Sequence, residues 1–354
     1  MARLLILGAG IAGQTAALHA KNKLGSKHEV VVVSPNSKWN WIPSNIWVGV
    51  GKMQPEQVTF PLAPVYKKTG ITFHQAKAIS INPEGDSSTS NPFVTIEYTS
   101  PEKTGKQEKI NYDYLINATG PKLKFEATKG LGPNLNSYSV CTYDHAAHTS
   151  KALDELTERM KRGEKKTIVI GTGHGNCTCQ GAAFEYLFNV EYELRRRNVR
   201  DKANIVWISN EQELGDFGMG GMHISRGGYI THSRVFTESL YTERGISWIT
   251  RAHVKEVDKN KLAYENLDGE ENTVDFDFAM LLPPFSGVGM KAFNKAGEDI
   301  TSDLFAPSGF MIVDADYSKK SYEDWSPADW PSTCLLYTSP SPRDRTRSRM
   351  PSSA

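Results

Sequence analysis

Three stretches of this 354-residue chain hold residue types whose spacing could do chemistry. The first is Gly8-Ala9-Gly10-Ile11-Ala12-Gly13, which follows the apolar run Arg3-Leu4-Leu5-Ile6-Leu7 and opens a helical pattern to about Lys23. A G-x-G-x-x-G spacing between a strand and a helix, with a buried-type run at Val30-Val31-Val32-Val33 behind it, marks a dinucleotide-binding turn. The first glycine makes the tight turn, the second lets the backbone approach a pyrophosphate, and the third packs the helix on the strand. The helix start then offers free N–H groups and a positive dipole end to the phosphates. Ser34, followed by Pro35 and Asn36, stands where an acidic residue usually meets the ribose. A hydroxyl or amide could serve there, and an ordinary Ser-Pro-Asn turn accounts for the same residues.

The second stretch is Gly171-Thr172-Gly173-His174-Gly175-Asn176-Cys177-Thr178-Cys179-Gln180-Gly181. In a pyridine-nucleotide enzyme such a loop cradles the nicotinamide nucleotide. Here two thiols stand at the phosphate-facing helix start, and the next strand ends Ser209-Asn210-Glu211 with its acid only loosely placed. We read this half as having lost nicotinamide binding. The helix expected from about Thr178 to Arg197 carries the stripe Cys179, Ala183, Leu187, Val190, Leu194, which puts Cys179 on the inward face of the first turn. A helix dipole there favours thiolate over thiol, the setting of a redox cysteine. A packed core thiol is the competing reading. A metal site is not expected, because His174, Cys177 and Cys179 lack a second ligand pair and i, i+2 residues do not converge on a helix. The third stretch, Cys141-Thr142-Tyr143-Asp144-His145-Ala146-Ala147-His148, begins another helix with Thr142 or Asp144 as N-cap. Cys141 either lies near the second glycine loop or is a structural thiol in a connection between domains.

These residues need a scaffold, and the chain repeats one. After the first unit come Gly70-Ile71-Thr72-Phe73, the alternating Phe93-Val94-Thr95-Ile96-Glu97-Tyr98 and the closing Tyr114-Leu115-Ile116-Asn117. The second half repeats the order with Thr167-Ile168-Val169-Ile170, Ile205-Val206-Trp207-Ile208, Gly245-Ile246-Ser247-Trp248 and Phe278-Ala279-Met280-Leu281-Leu282. The expected fold is α/β: two tandem Rossmann-like dinucleotide-binding domains, three-layered, each with a small antiparallel β insertion.

Composition narrows the class. With 41 Lys+Arg against 40 Asp+Glu the net charge is +1, which argues against a nucleic-acid binder. No run approaches the ~18 apolar residues of a membrane span, and no signal-peptide pattern precedes the first strand. Four cysteines are too few for a secreted disulfide scaffold. The last 21 residues, CLLYTSPSPRDRTRSRMPSSA, hold four Arg and one Asp, so residues 1–333 carry 37 basic and 39 acidic groups and a net −2. That Ser/Pro/Arg-rich tail has no apolar period and reads as a foreign or disordered appendage from about Cys334. A loop with Trp39, Trp41 and Trp47 either caps a core or supplies an apolar wall for a cofactor ring.

Taken together, these motifs resemble the sulfide:quinone oxidoreductases, a membrane-associated flavoprotein family. The resemblance covers residues 1–333 and rests on the Gly8 loop, Pro43-Ser44-Asn45 with Trp47-Val48-Gly49-Val50-Gly51, and Ala118-Thr119-Gly120-Pro121-Lys122-Leu123. Val140-Cys141-Thr142, Cys179-x-Gly181 with Glu185, and Gly309-Phe310-Met311-Ile312-Val313-Asp314 complete it. It implies FAD along the Gly8 loop, with Ser34 and Pro35 at the ribose and the Lys77-Ala78 backbone at the adenine. Thr119 and Gly120 would make the second flavin contact, and Pro43 and Ser44 would lie near the ring. The implied domains are 1–137 for FAD, continued by 291–333, and 138–290 with redox cysteines in place of a nicotinamide site.

The family's chemistry implies two essential cysteines, of which Cys179 matches the first and Cys141 an auxiliary one. Sulfide attacks an oxidised cysteine bridge and leaves a persulfide, and the freed thiolate passes electrons to FAD and on to a membrane quinone. The family's second essential cysteine, quinone pocket and amphipathic anchor fall late in its sequences, beyond residue 333 here. The expectation is therefore a shortened chain of low activity, peripheral to the cytoplasmic side of a membrane through a region it lacks, with homo-oligomers open. A cytochrome-coupled sulfide dehydrogenase flavoprotein, a type II NADH dehydrogenase and a non-catalytic FAD or persulfide-sensing module are the alternatives.

Overall fold

The computed structural model describes residues 1–313, and the expected tail 334–354 and the end of the 291–333 continuation lie outside them. The chain divides into two units. The first comprises Met1–Trp39, Phe60–Lys122 and the described residues from Ser286. Its opening elements are β1 (Arg3–Leu7), α1 (Ile11–Leu24) and β2 (Glu29–Ser34). Val30 to Val33 are at most 2% exposed, as a β-branched run covered on both faces of a parallel sheet must be. Then follow α2 (Leu62–Thr69), β3 (Thr72–Asn82), β4 (Phe93–Tyr98), β5 (Gln107–Asn111) and β6 (Tyr114–Asn117).

The strand order is β5-β4-β3-β2-β1-β6. The pairs β3–β2, β2–β1 and β1–β6 are parallel. β4 adds antiparallel to the far half of β3, with a bulge between Ala78 and Ser80, and β5 adds antiparallel to β4.

The second unit comprises Asn40–Thr59 and Leu123–Phe285. It holds α3 (Tyr143–Lys161), β7 (Lys166–Thr172), α4 (Gln180–Arg196), β8 (Ala203–Ile208), β9 (His223–Arg226) and β10 (Tyr229–His232). After them come α5 (Ser233–Glu243), β11 (Ile246–Ile249), β12 (His253–Val257), β13 (Lys261–Glu265), β14 (Glu271–Asp275) and β15 (Phe278–Leu282). Four parallel strands run β11-β8-β7-β15, the same winding as β3-β2-β1-β6. The internal repeat and the two Rossmann-like folds are both present.

The insertions differ between the halves. β3 runs straight from its parallel partner into the antiparallel pairing, whereas β12, β13 and β14 form a separate sheet. The break falls at Arg251, whose φ of 57° is in the left-handed region. Its N–H donates to Glu211 O at 2.7 Å and its Nε to Gln212 O at 2.9 Å, which holds the bend.

Contacts also group Asn40–Thr59 with the second unit, where the sequence expectation kept 1–137 together. The cause is burial. Ile46, Val48 and Val50 join the core that contains Val140, Ala183 and Tyr186, and Tyr186 Oη donates to Gly49 O at 3.1 Å. A Cβ on Gly49 would sit 2.8 Å from a Val140 methyl, so only glycine lets this segment approach.

The apolar stripe of α4 anchors that core: Ala183, Leu187, Val190 and Leu194 are fully buried. Leu187→Ala is expected to cost about 2–5 kcal/mol of stability, read as a lower denaturant midpoint. A midpoint within error of the parent's would show that this face of α4 is not core.

Candidate functional site

Three residues, 8–10, connect β1 to α1. Gly8 has φ +97°, and a Cβ there would lie 2.0 Å from Ala118 O. A Cβ on Gly13 would lie 2.0 Å from Gly8 O. The protein's own backbone therefore demands both outer glycines. Gly10 is different: a Cβ there would meet nothing within 4 Å. The next residue, Ile11, is 61% exposed at the helix start.

No side chain caps α1, and its first intrahelical bond is Gln14 N–H to Gly10 O at 2.9 Å. The N–H groups of Ile11, Ala12 and Gly13 thus have no helical acceptor. An open space faced by uncapped donors at a positive helix end fits the pyrophosphate of a dinucleotide.

The surrounding residues line the same edge of the sheet. Ser34 is buried at the end of β2, and its Oγ accepts from Asn36 N–H at 3.4 Å, so the hydroxyl sits within a short turn whose Pro35 is exposed. Lys77 and Ala78 follow the last β2–β3 pair, Ser34 with Gln75, and Lys77 Nζ is committed to Glu97 at 2.7 Å. Thr119 Oγ1 donates to Asn117 Oδ1 at 2.9 Å just past β6, and Gly120 turns with φ +70°. Gly8, Ser34 and Thr119 stand at or just past the C-terminal ends of parallel strands, and Lys77 just past the parallel part of β3, where α/β sheets bind nucleotides. Pro43 and Ser44 form the single turn Ile42–Ser44 of the second unit, with Pro43 exposed. Trp39 stacks on Phe60 at 4.9 Å, whereas Trp41 and Trp47 are about two-fifths exposed, at 40% and 42%.

The matching turn of the second unit is built otherwise. β7 ends at Thr172 and α4 begins at Gln180, so residues 173–179 replace a three-residue turn. Here each early glycine packs on protein. A Cβ on Gly171 would lie 1.7 Å from Ile208 O, on Gly173 2.6 Å from Leu131, and on Gly175 2.6 Å from the His253 ring. Thr128 Oγ1 donates to Gly173 O at 2.6 Å, Gly173 N–H to Leu282 O at 2.8 Å, and Gly175 N–H to His253 Nδ1 at 2.8 Å. The position corresponding to the open Gly10 is filled, and this turn does not fit a nicotinamide dinucleotide.

All three described thiols are reduced and lie in this unit. Cys177 is buried, and its Sγ donates to Leu282 O at 3.0 Å. Burial pushes it up to about 12, so it is a protonated donor at neutral pH. Cys141 is half-buried and pushed up to about 11, by burial and then by the nearby Cys179 sulfur, against a hydrogen bond with Ser139. Cys179 is the exposed thiol.

Two sequence expectations about Cys179 are corrected. It is the N-cap of α4, outside the buried stripe, because the helix starts one residue later. Its pKa is raised by burial among its neighbours, with only the Ala182 amide pulling it down, so the helix start does not outweigh desolvation. Thr142 is the cap of α3, accepting from His145 N–H at 3.4 Å. The sequence reading also missed His253, which meets His174 edge-on at 4.7 Å. No local motif marks it, since it comes from the inserted sheet 74 positions after Cys179.

Residues 2–202 match the family described as pyridine nucleotide-disulphide oxidoreductase. The chain is 32% identical over 310 residues to the sulfide-quinone reductase of Aquifex aeolicus, covering 88% of this chain and 63% of that protein. It is 24% identical over 290 residues to the mitochondrial sulfide:quinone oxidoreductase of Dictyostelium discoideum, covering 80% and 56%. The chain thus spans less than two thirds of these relatives' length. The solved structure of the Aquifex aeolicus sulfide:quinone oxidoreductase superposes with a TM-score of 0.72 at 30% identity, covering 91% of this chain and 66% of that one. A Plasmodium falciparum NDH2 structure shares the fold, with a TM-score of 0.62 at 16% identity over 82% and 56%.

Burial, before the influence of His253 and Lys124, holds His174 below the usual histidine range, and burial does the same to His145 and His74. As pH falls through about 6.5 the unfolded chain takes up these protons first, so stability is full above that pH and falls below it. Thermal melts are expected to hold level down to about pH 6.5 and then decline, with a shallower decline in His174→Gln. An unchanged decline in that variant would exclude His174 as a contributor.

Proposed function

The chain belongs to the pyridine nucleotide-disulphide oxidoreductase family, and we propose that it is the flavin- and sulfur-handling part of a sulfide:quinone oxidoreductase. One observation carries this reading. The first unit keeps its dinucleotide turn open, while the second has closed the equivalent turn on itself and set thiols there. The 32% identity to a sulfide-quinone reductase supports the same assignment.

FAD, when bound at the first turn, supplies a two-electron acceptor. The N–H groups of Ile11, Ala12 and Gly13 hold its pyrophosphate, Gly10 permits the close approach, and Ser34 meets the ribose. The Lys77-Ala78 backbone borders the adenine, and Thr119 and Gly120 line the far end of the same edge. Pro43 and Ser44 are assigned to the ring on sequence resemblance.

Cys179 is the sulfur carrier. It is the exposed thiol, and the Ala182 amide faces it from the first turn of α4. Hydrosulfide attacks Cys179 when that sulfur is held in a disulfide, a persulfide forms on Cys179, and the partner sulfur leaves as thiolate. Cys141 lies near Cys179 and, pushed up by burial, stays protonated at neutral pH. The electrons leave to a quinone, as the relatives' names state for those proteins. No helix among the described residues is long and apolar enough to cross a membrane; a peripheral place at the membrane is assigned on the resemblance to the sulfide:quinone oxidoreductases alone.

A nicotinamide-linked reading is disfavoured by the filled second turn. Two variants test the assignment. Gly10→Val is expected to weaken FAD binding at least about tenfold, since a branched side chain occupies the pyrophosphate's space. Cys179→Ser is expected to retain FAD while losing sulfide-dependent bleaching of the flavin. Bleaching at the parent rate in Cys179→Ser would remove this thiol from the reaction.

A further inference from the structure

In a nucleotide-binding turn the end of the second strand serves the ribose. In the second unit the residue matching Ser34 is Ser209, and Asn210 follows it, two residues past the end of β8, with its amide turned onto the glycine loop. Nδ2 donates to Gly175 O at 2.7 Å and to Cys177 O at 2.9 Å. Oδ1 accepts from Gln180 Nε2 at 3.0 Å, and Gln180 Nε2 also donates to Cys177 O at 3.2 Å. The Asn210 N–H donates to Thr172 Oγ1 at 3.1 Å. Both Nδ2 protons and Oδ1 are therefore spent on residues 175–180, the segment that carries Cys177 and Cys179.

The neighbouring acid does not compete for this task. Glu211 is buried with Oε2 accepting from Ser209 Oγ at 2.8 Å and Oε1 from Phe217 N–H at 2.7 Å, so it holds its own loop. From the opposite side Gly175 N–H is fixed by His253, and Cys177 Sγ by Leu282 O. Asparagine suits the place because it must donate twice and accept once in a side chain two carbons long. An aspartate would set an acceptor against two carbonyl oxygens, and an alanine would leave both carbonyls and the Gln180 amide unpaired.

We propose that Asn210 is a positioning residue for Cys179: it clasps the former nucleotide turn so that the thiol is presented at the start of α4 against the Ala182 amide. The inference rests on the sulfur-handling reading of Cys179. It gives the residue beside the ribose position of the repeated fold a task of its own, holding a reactive sulfur in register.

The test reads the thiols directly and needs neither flavin nor sulfide, so it stands apart from any test of the overall reaction. Reduced protein is alkylated with iodoacetamide across neutral to alkaline pH, and the rate at each cysteine is followed by peptide mass mapping. In Asn210→Asp and Asn210→Ala, Cys177 is expected to become alkylated at least about fivefold faster, the ratio given by losing one hydrogen bond of typical net strength. The midpoint of the rate–pH curve of Cys179 is expected to move to higher pH while that of Cys141 stays. Gln180→Met, which keeps length but removes one arm of the clasp, is expected to shift both readouts in the same direction by about threefold in rate, and it decides the matter if the Asn210 variants do not fold. Leu187→Ala is the control for general loosening of the unit. The proposal is overturned if the Cys179 midpoint stays with that of Cys141, or if all three thiols accelerate together as in Leu187→Ala.

Discussion

The molecule depends on a steric constraint at the first turn of each β-α-β unit. Where the chain leaves the first strand it passes so close to a neighbouring strand that a side chain has no room. Gly8 lies against Ala118 O, Gly13 against Gly8 O, and Gly171 against Ile208 O. These contacts fix the angle at which each helix leaves its strand, and so fix where the helix start and its unpaired N–H groups point. Everything chemical in either unit is set by what fills the space those groups face.

The two units answer that question differently. In the first, three residues make the turn and Gly10 looks into open space. In the second, the turn is seven residues long, 173–179, and protein atoms fill it: Leu131 at Gly173, His253 at Gly175, and amide side chains on the exposed carbonyls. On the proposed function, the second turn is a mount for sulfur. The energetic logic favours this, because polar backbone left unpaired by the lost ligand would be costly and is paired internally instead.

Much of this was legible in the sequence. The order of elements along the chain, the repeat, and the close packing at Gly8 and Gly13 follow from spacing and β-branched runs, which are local signals. The stripe of α4 correctly marked Ala183, Leu187, Val190 and Leu194 as core. It misplaced Cys179, because periodicity cannot tell the first helical residue from the cap that precedes it, and the helix starts at Gln180. The helix-dipole argument for a thiolate also failed there, since burial among neighbours outweighs one facing amide. The grouping of Asn40–Thr59 was hidden because Ile46 and Val48 join a core with Val140 and Tyr186, which lie about 90 to 140 residues further along the chain. His253 and Asn210 were invisible for the same reason: their work depends on long-range contacts that no motif encodes.

The account's central claim is that the first turn binds a flavin whose electrons come from sulfur and not from a nicotinamide. It is tested most directly by reconstituting the chain with FAD and adding, without oxygen, either sulfide or NADH while following the visible flavin band. The account predicts slow loss of the band with sulfide and no change with NADH. Loss with NADH and none with sulfide would contradict it.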